Sequence, residues 1–238
     1  MIIFSDNPVS TNEECKLLAK KENLCEGSVI FATRQRGGKG TKGRKFLSPE
    51  GGLYMSVLLR PDCLEKTVGL TSRVAVEVIN ALKKVFNLPY GIKWVNDIIV
   101  GGKKACGILC ESAFTPDGKL DFVVVGIGIN VVTPENGFAE EIKDIATALT
   151  DKKLDFSFYS NLASLIKDGV MRAYNNDNNA YREQYSSLSV TLNKNVTIDD
   201  GKDIFVGRVV GFDDNFGMIV KNDNEERTFF TYSNLTIC

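Results

Sequence analysis

The chain has 238 residues, with 29 Lys and Arg against 30 Asp and Glu, and a formal net charge of -1. Its 43% hydrophobic and 25% charged residues are typical of globular domains and exclude a disordered chain. The length suggests one sizeable domain and a smaller one. The complete lack of histidine excludes Ser-His-Asp and Cys-His catalytic sites, histidine general bases and zinc sites that use histidine. An enzyme of this composition must use carboxylates, Lys, Arg or a bound metal ion.

The six cysteines are scattered along the chain without a CxxC pair. This pattern is typical of a reducing cytoplasm, where we expect most of them to be small buried residues. Cys106 and Cys110 could form half of a metal site, but no second pair accompanies them, so core cysteines are the preferred interpretation. The N-terminus has a short apolar run without a basic flank, which predicts neither a signal peptide nor a membrane span.

The first predicted helix starts at two overlapping capping boxes, Ser10 with Glu13 and Thr11 with Glu14, and ends near residue 26. Residues 29–33 and 53–59 are β-prone, and the second run is apolar enough for a buried strand. Six apolar residues at helical spacing then predict one long helix that packs a single face on the sheet. They are Leu64, Val68, Ala75, Ile79, Leu82 and Phe86.

The middle of the chain predicts antiparallel strands over 92–100 and 103–111, joined by a two-residue turn at Gly101-Gly102. A second turn at Asp117-Gly118 leads into a strand over 120–132. An amphipathic helix is predicted around residues 162–174, followed by a polar stretch. From about residue 190, short runs separated by Asp- and Asn-rich turns predict a small all-β module of five strands.

The segment 34–45 contains six basic residues, four glycines and no acid. Such a loop can present N-H groups and cations together to phosphate or carboxylate oxygens. A solvated basic loop or a non-specific nucleic-acid patch is the alternative, but the glycine density and the lack of aromatics favour an anion cradle. Its GxGxxG pattern at 38–43 is followed by residues that break a helix, so it does not fit the dinucleotide-binding motif.

Two further segments combine polar groups with β-prone residues. Residues 93–97 (Lys-Trp-Val-Asn-Asp) place Lys93 and Asp97 on one face of a predicted strand and Trp94 and Asn96 on the other. The asparagine amide can read an adenine-like edge, and the aspartate could hold magnesium; solvated charges beside a core tryptophan are the alternative. In residues 125–131, two glycines inside an apolar run indicate either close approach of a ligand or tight sheet packing.

Together these segments resemble the biotin protein ligases. The resemblance rests on Ser10-Thr11-Asn12, the basic loop 34–45, residues 93–97 with Lys104 and 107–109, and residues 126–130. It implies synthesis of biotinyl-5′-AMP from biotin and Mg-ATP, then transfer of biotin to a lysine of a carboxylase's biotin carrier domain. It also implies an α+β catalytic domain over 1–188, with a mixed sheet like that of class II aminoacyl-tRNA synthetases, and an SH3-like β-barrel over 189–238.

The resemblance also implies roles for individual residues. Those implied for biotin are Ser10, Thr11, Gln35, Gly38, Lys39, Lys104 and Gly107. Those implied for ATP are Lys39, Thr41, Lys42, Arg44, Phe46, Asn96 and Asn130. The implied catalytic groups are Lys104, Asp97 and Arg44, and Asp97 is also the candidate ligand of Mg²⁺.

Three departures from the family pattern are present: Lys39 and Thr41 in place of arginines, Val95 in place of proline and Phe46 in place of tryptophan. The segment that begins at Ser10 leaves no room for the winged helix of biotin repressors, so we expect an enzyme without DNA binding, as monomer or homodimer, in the cytoplasm and away from membranes. A lipoate or octanoyl ligase, and a weak paralogue that only binds biotin or its adenylate, are the alternatives.

Overall fold

The structure is a computed structural model that describes residues 1–21 and 24–238. Within these ranges, seven strands form a large mixed sheet and five strands form a smaller antiparallel sheet at the C-terminal end. The predicted α+β class is therefore confirmed. The elements of the larger part are β1 Ile2–Phe4, α1 Thr11–Lys21, β2 Val29–Ala32, β3 Leu53–Leu59, α2 Leu70–Leu82, β4 Tyr90–Lys93, β5 Asp97–Val100, β6 Lys103–Phe114, β7 Leu120–Ile129, α3 Phe156–Asn175 and α4 Asn179–Leu188. The smaller sheet contains β8 Asn195–Asp199, β9 Ile204–Phe212, β10 Met218–Lys221, β11 Glu226–Phe229 and β12 Asn234–Ile237.

The large sheet has the order β1-β2-β3-β7-β6-β5-β4. The edge pair β1 and β2 is parallel, and the other neighbours are antiparallel. Alternate residues of the central strands point to opposite faces. Leu58 and Val124 pack against Cys15 and Ala19 of α1, whereas Val57 and Val125 belong to the core under α2 and α3. Because both faces are covered, every residue of β3 is buried.

Two helix predictions need correction. The first helix starts at Thr11 as predicted and is described as far as Lys21, and residues 24–27 are not helical, so the helix stops short of the predicted end near residue 26. The long helix expected from Leu64 onwards starts only at Leu70, because Gly69 adopts a left-handed conformation with φ of 71°. Leu64 lies in a short 3₁₀ turn and is half exposed. The apolar spacing across Gly69 was therefore coincidental.

The predicted strand over 92–100 is in fact two strands. The chain turns at residues 94–96, so that Lys93 of β4 lies opposite Asp97 of β5. The predicted alternation of faces through Trp94 and Asn96 is wrong, because these residues belong to the turn. Trp94 is fully buried and donates its indole N-H to Phe216 O at 2.8 Å, so it packs between the large sheet and the smaller one.

One hairpin and the number of C-terminal strands were predicted correctly, whereas two elements were missed. The hairpin at Gly101-Gly102 is confirmed, with φ of 57° and 81° at the two glycines, as a two-residue turn with both residues at positive φ requires. Five C-terminal strands were predicted and are found, but α4 and the short edge strand β1 were missed. The boundary between domains at residues 188 and 189 stays a prediction.

Cys15 and Cys106 are buried, and burial raises the pKa of both thiols. The other four cysteines are half-buried or exposed, so the prediction that most are buried is wrong. Over residues 1–21 and 24–238, no helix is both long and apolar enough to cross a membrane.

Candidate active site

A small cavity of about 50 Å³ lies above the β6–β7 pair, beside the start of α1 and under the basic loop 34–45. Its walls combine the polar N-terminus of α1 with apolar and glycine positions of the strands. The lining residues are Ser10, Thr11, Asn12, Gln35, Lys39, Gly40, Thr41, Phe46, Tyr54, Met55, Asn96, Lys104, Gly107, Ile108, Leu109, Gly126, Ile127 and Gly128.

The polar end of this first cavity is held by hydrogen bonds between α1 and the basic loop. Thr11 donates its backbone N-H to Gln35 Oε1 at 2.7 Å. Gln35 Nε2 in turn donates to Ser48 Oγ at 3.0 Å, and Ser48 Oγ donates to Phe46 O at 2.9 Å. Thr11 and Ser48 are buried, so these hydrogen bonds hold α1 and the basic loop together at this end of the cavity.

The floor of the first cavity is made of glycines. Gly107 on β6 and Gly128 on β7 are register partners, and the ring of Phe46 lies over both. A Cβ at Gly128 would lie 2.7 Å from Phe46 Cε1, and one at Gly107 would lie 3.0 Å from Phe46 Cε2. A Cβ at Gly126 would lie 2.3 Å from Asn12 Oδ1. The glycines of β6 and β7 therefore make room for side chains that line the cavity.

The basic loop folds back on itself, with a bridge between Lys39 and Lys45 and a 3₁₀ turn over Thr41–Gly43. Only Gly43 among its glycines has a positive φ. Gly38 is needed for space, because a Cβ there would lie 2.4 Å from both Phe46 O and Ser48 Oγ. Glycine in this loop thus serves close packing more than unusual backbone angles.

The cations of the loop are partly paired within the protein. Lys39 Nζ lies 2.9 Å from Glu13 Oε1, and hydrogen bonds from Lys39 and Lys16 lower the pKa of Glu13. Lys42 Nζ donates to Tyr232 O, and Arg44 Nη2 donates to Ser233 O at 2.6 Å. The loop is therefore held between α1 and the smaller sheet.

A second cavity of about 510 Å³ opens between the basic loop, the β5–β6 hairpin, residues 141–146 and the loop before β12. The two cavities share Gly40, Thr41, Phe46, Asn96 and Lys104. Arg44, Asp97 and Asn130 line the second cavity. Tyr232 also lines it, and burial raises the pKa of its phenol to about 12, so this side chain is neutral at physiological pH.

Lys104 occupies the junction of the two cavities. Its Nζ lies 2.6 Å from Asp97 Oδ1 and 5.5 Å from the centre of the Phe46 ring. The ion pair falls outside hydrogen-bond angles, and Asp97 Oδ1 has no hydrogen-bond partner among the described residues. An ammonium beside a carboxylate that lacks a hydrogen-bond partner among the described residues is suited to an incoming anion and an incoming amine.

The asparagines expected to read adenine are buried beside this junction. Asn96 Nδ2 donates to Ile108 O at 2.8 Å, and Asn130 Nδ2 donates to Thr147 O at 3.1 Å. Each amide is therefore oriented by the backbone of a neighbouring segment. Their contact with adenine stays a prediction.

The structure thus brings most of the sequence-predicted residues to one place. The first cavity gathers Ser10, Thr11, Gln35, Lys39, Lys104 and Gly107, and the second gathers Thr41, Arg44, Phe46, Asn96, Asp97, Lys104 and Asn130. Gly38 and Lys42 line neither cavity. Sequence reasoning missed Asn12 and Tyr232 as lining residues. Asn12 directly follows Ser10 and Thr11, so its position in the segment 10–12 could have identified it. Tyr232 reaches the site from the smaller sheet, and no pattern in the neighbouring sequence predicts this.

Comparisons with known proteins agree with this geometry. Residues 8–130 match the model of the Biotin/lipoate A/B protein ligase family. The chain belongs to this family. It is 34% identical over 230 residues to the bifunctional ligase/repressor BirA of Bacillus subtilis, an alignment that covers 94% of this chain and 70% of that protein. It is 34% identical over 138 residues to the biotin--[acetyl-CoA-carboxylase] ligase of Paracoccus denitrificans, covering 55% of each.

A solved structure of a family member extends the likeness to the whole chain. The biotin protein ligase from Aquifex aeolicus in complex with biotin and ATP aligns with a TM-score of 0.83 and 28% identity. The alignment covers 100% of this chain and 99% of that chain. The likeness therefore includes the C-terminal sheet as well as the family segment 8–130.

Proposed function

We infer that this chain is a biotin protein ligase, which activates biotin with ATP to biotinyl-5′-AMP and transfers biotin to a lysine of a biotin carboxyl carrier domain. The observation that carries this function is the pair of joined cavities. The smaller is polar at one end and floored by glycines, and the larger is lined by Arg44. Lys104 stands where the two meet, so a carboxylate in one cavity and a phosphate in the other would share its charge.

In the first step, a carboxylate oxygen of biotin attacks the α-phosphorus of ATP and pyrophosphate leaves. Two anions must approach each other, so cations at the junction lower the barrier by stabilising the charge that develops. Lys104 and Arg44 are the proposed groups. No protein nucleophile is required, which fits a chain without histidine.

In the second step, the acceptor lysine attacks the acyl carbon, AMP leaves, and the amine loses a proton. We propose Asp97 as the group that orients this amine or accepts its proton, because it is the carboxylate next to Lys104. Asp97→Asn should slow transfer from preformed biotinyl-AMP. Unchanged transfer by this variant would contradict the role.

Magnesium is proposed to enter as part of the substrate Mg-ATP. Over the described ranges, no group of three or more Asp, Glu or Cys side chains is placed to hold a metal ion. Asp97 is already paired with Lys104, which leaves it at most one ligand of an ion that the phosphates bring. The proposed acceptor is the carrier domain of a carboxylase, and a monomer or homodimer in the cytoplasm stays a prediction.

The function can be tested by weighing a carrier domain. The purified chain is incubated with ATP, the carrier domain and either biotin or lipoate, and the intact mass of the carrier is measured. We expect ATP-dependent addition of one biotinyl group and no lipoyl group. Lipoyl addition would support the lipoate ligase alternative, and binding of biotin without any addition would support the weak paralogue. Either result would contradict the proposal.

A further inference from the structure

A chain of hydrogen bonds connects Glu111 on β6 with the polar end of the first cavity. Asn12 Nδ2 donates to Glu111 Oε2 at 2.8 Å. Ser56 Oγ lies 2.6 Å from Asn12 Oδ1 and 2.9 Å from Thr11 Oγ1. Asn12, Ser56 and Thr11 are all buried, so solvent does not offer these groups alternative partners.

The donor and acceptor roles along this chain follow from the proton count. A carboxylate only accepts, so Glu111 turns the NH₂ of Asn12 towards itself and the amide oxygen towards Ser56. Ser56 has one hydroxyl proton, and Asn12 Oδ1 has none, so this proton must point to Asn12. The hydroxyl of Thr11 must then donate to Ser56. Only the lone pairs of Thr11 Oγ1 remain for a ligand in the cavity.

Gln35 supplies the complementary group beside Thr11. Its Oε1 accepts from the Thr11 backbone N-H, so its NH₂ lies on the other side, where one hydrogen is donated to Ser48. The second N-H of Gln35 is left for the cavity. The polar end therefore offers an acceptor next to a donor, which matches an N-H next to a carbonyl oxygen, as in a cyclic urea.

We propose that Glu111, which does not line the cavity, is a positioning residue that sets the proton direction of this network and thereby selects a ligand with a urea-type edge. This proposal rests on the proposed function, because biotin is the urea-containing substrate. Lys16 Nζ contributes by holding the other carboxylate oxygen, Oε1, at 2.7 Å.

Glu111→Gln tests the direction without changing the shape of the side chain. The ammonium of Lys16 only donates, and it contacts Glu13 as well as Glu111. The new amide would keep its oxygen towards Lys16, because an NH₂ there would face a second donor, and would turn its NH₂ towards Asn12. The Asn12 amide would then flip, Ser56 would donate to Thr11, and Thr11 would point a proton at the ligand N-H. We expect the Kd for biotin, measured by titration calorimetry, to rise by about tenfold or more, corresponding to the loss of one hydrogen bond to a buried group. The KM for ATP should change less than twofold.

Two further variants separate direction from simple structural damage. In the double variant Lys16→Met/Glu111→Gln, the new amide is free to turn its oxygen to Asn12, so most of the biotin affinity should return. Ser56→Ala breaks the chain of hydrogen bonds between Asn12 and Thr11. In that background, Glu111→Gln should change the Kd for biotin less than twofold, so the effects of the two substitutions on the Kd should be strongly non-additive. Lys16→Met alone keeps Glu111 on Asn12 and serves as the control.

The outcomes are distinguishable. A Glu111→Gln variant with wild-type biotin affinity, or an equal effect in both backgrounds, would overturn the role of Glu111 and leave the proposed function intact. A parallel rise in the KM for ATP would show general damage and would also overturn it. Failure of the unchanged chain to bind biotin would overturn the proposed function itself.

Discussion

Gly128→Ala should damage the site by displacing the ring of Phe46. The new Cβ would lie 2.7 Å from Phe46 Cε1 and 2.9 Å from Cζ. Non-bonded carbon atoms prefer about 3.5–4.0 Å, so the ring must move by roughly 0.8 Å or more. Phe46 lines both cavities and lies against Lys104. A displacement of about 1 Å in positioning groups can cost about 100-fold in rate, so we expect kcat/KM for biotin to fall by roughly 10- to 100-fold.

Steady-state carrier biotinylation with biotin varied is the assay for this variant. Gly211→Ala on β9 is the matched control, because its nearest neighbour to a new Cβ is Ile219 Cδ1 at 4.0 Å. Phe46→Leu combined with Gly128→Ala should regain part of the lost activity, since the shorter side chain leaves room for the methyl group. Wild-type kinetics of Gly128→Ala would refute the claim that this glycine makes room for Phe46.

Three other substitutions test separate parts of the account. Lys104→Met should lower the kcat of adenylation by about 100- to 1000-fold, the usual loss for a group that stabilises developing charge. Biotin-dependent pyrophosphate exchange measures this rate, and a loss below tenfold would contradict the catalytic role of Lys104. Thr41→Arg adds a cation at the junction and should slow release of biotinyl-AMP by roughly 10- to 100-fold, the range expected for a hydrogen bond to a charged group. Equal release rates in the variant and the unchanged chain would contradict the prediction that Thr41 loosens retention of the adenylate. Glu77→Gln weakens the contact of buried Glu77 with Arg172 Nη2 at 2.7 Å. Because Arg172 is half exposed, the free energy of unfolding should fall by only about 1–2 kcal/mol. An unchanged urea unfolding curve would contradict a stabilising role for this ion pair.

Continuous apolar runs along the sequence predicted the strands well where both faces of the sheet are covered. β3 is apolar at nearly every position and was placed with its exact limits, because a strand buried on both faces has no polar alternation to obscure it. The long helix was wrong at its start, because apolar spacing carries no information about the left-handed conformation of Gly69. The single strand over 92–100 was wrong because a tight turn formed by Trp94 and its neighbours contains no glycine.

The site was predictable in its residue types but not in its internal connections. The basic loop and the glycines of β7 are contiguous motifs, so an anion cradle and a close approach to β7 could be proposed from the residues, whereas the role of Lys104 came from the resemblance to the biotin protein ligases. The connection between Glu111 and Asn12 joins residues 99 positions apart, and Tyr232 reaches the second cavity from the smaller sheet. Such contacts depend on strand register and on the packing of the two sheets, which no local pattern specifies.

The central claim is that the joined cavities unite the carboxylate of biotin with the α-phosphate of ATP. Biotin-dependent exchange of labelled pyrophosphate into ATP measures this step alone, without a carrier domain. We expect exchange with biotin, no exchange without biotin or with lipoate, and a large loss of exchange in Lys104→Met. Exchange that proceeds equally with lipoate, or a protein that binds both biotin and ATP without exchange, would contradict the account.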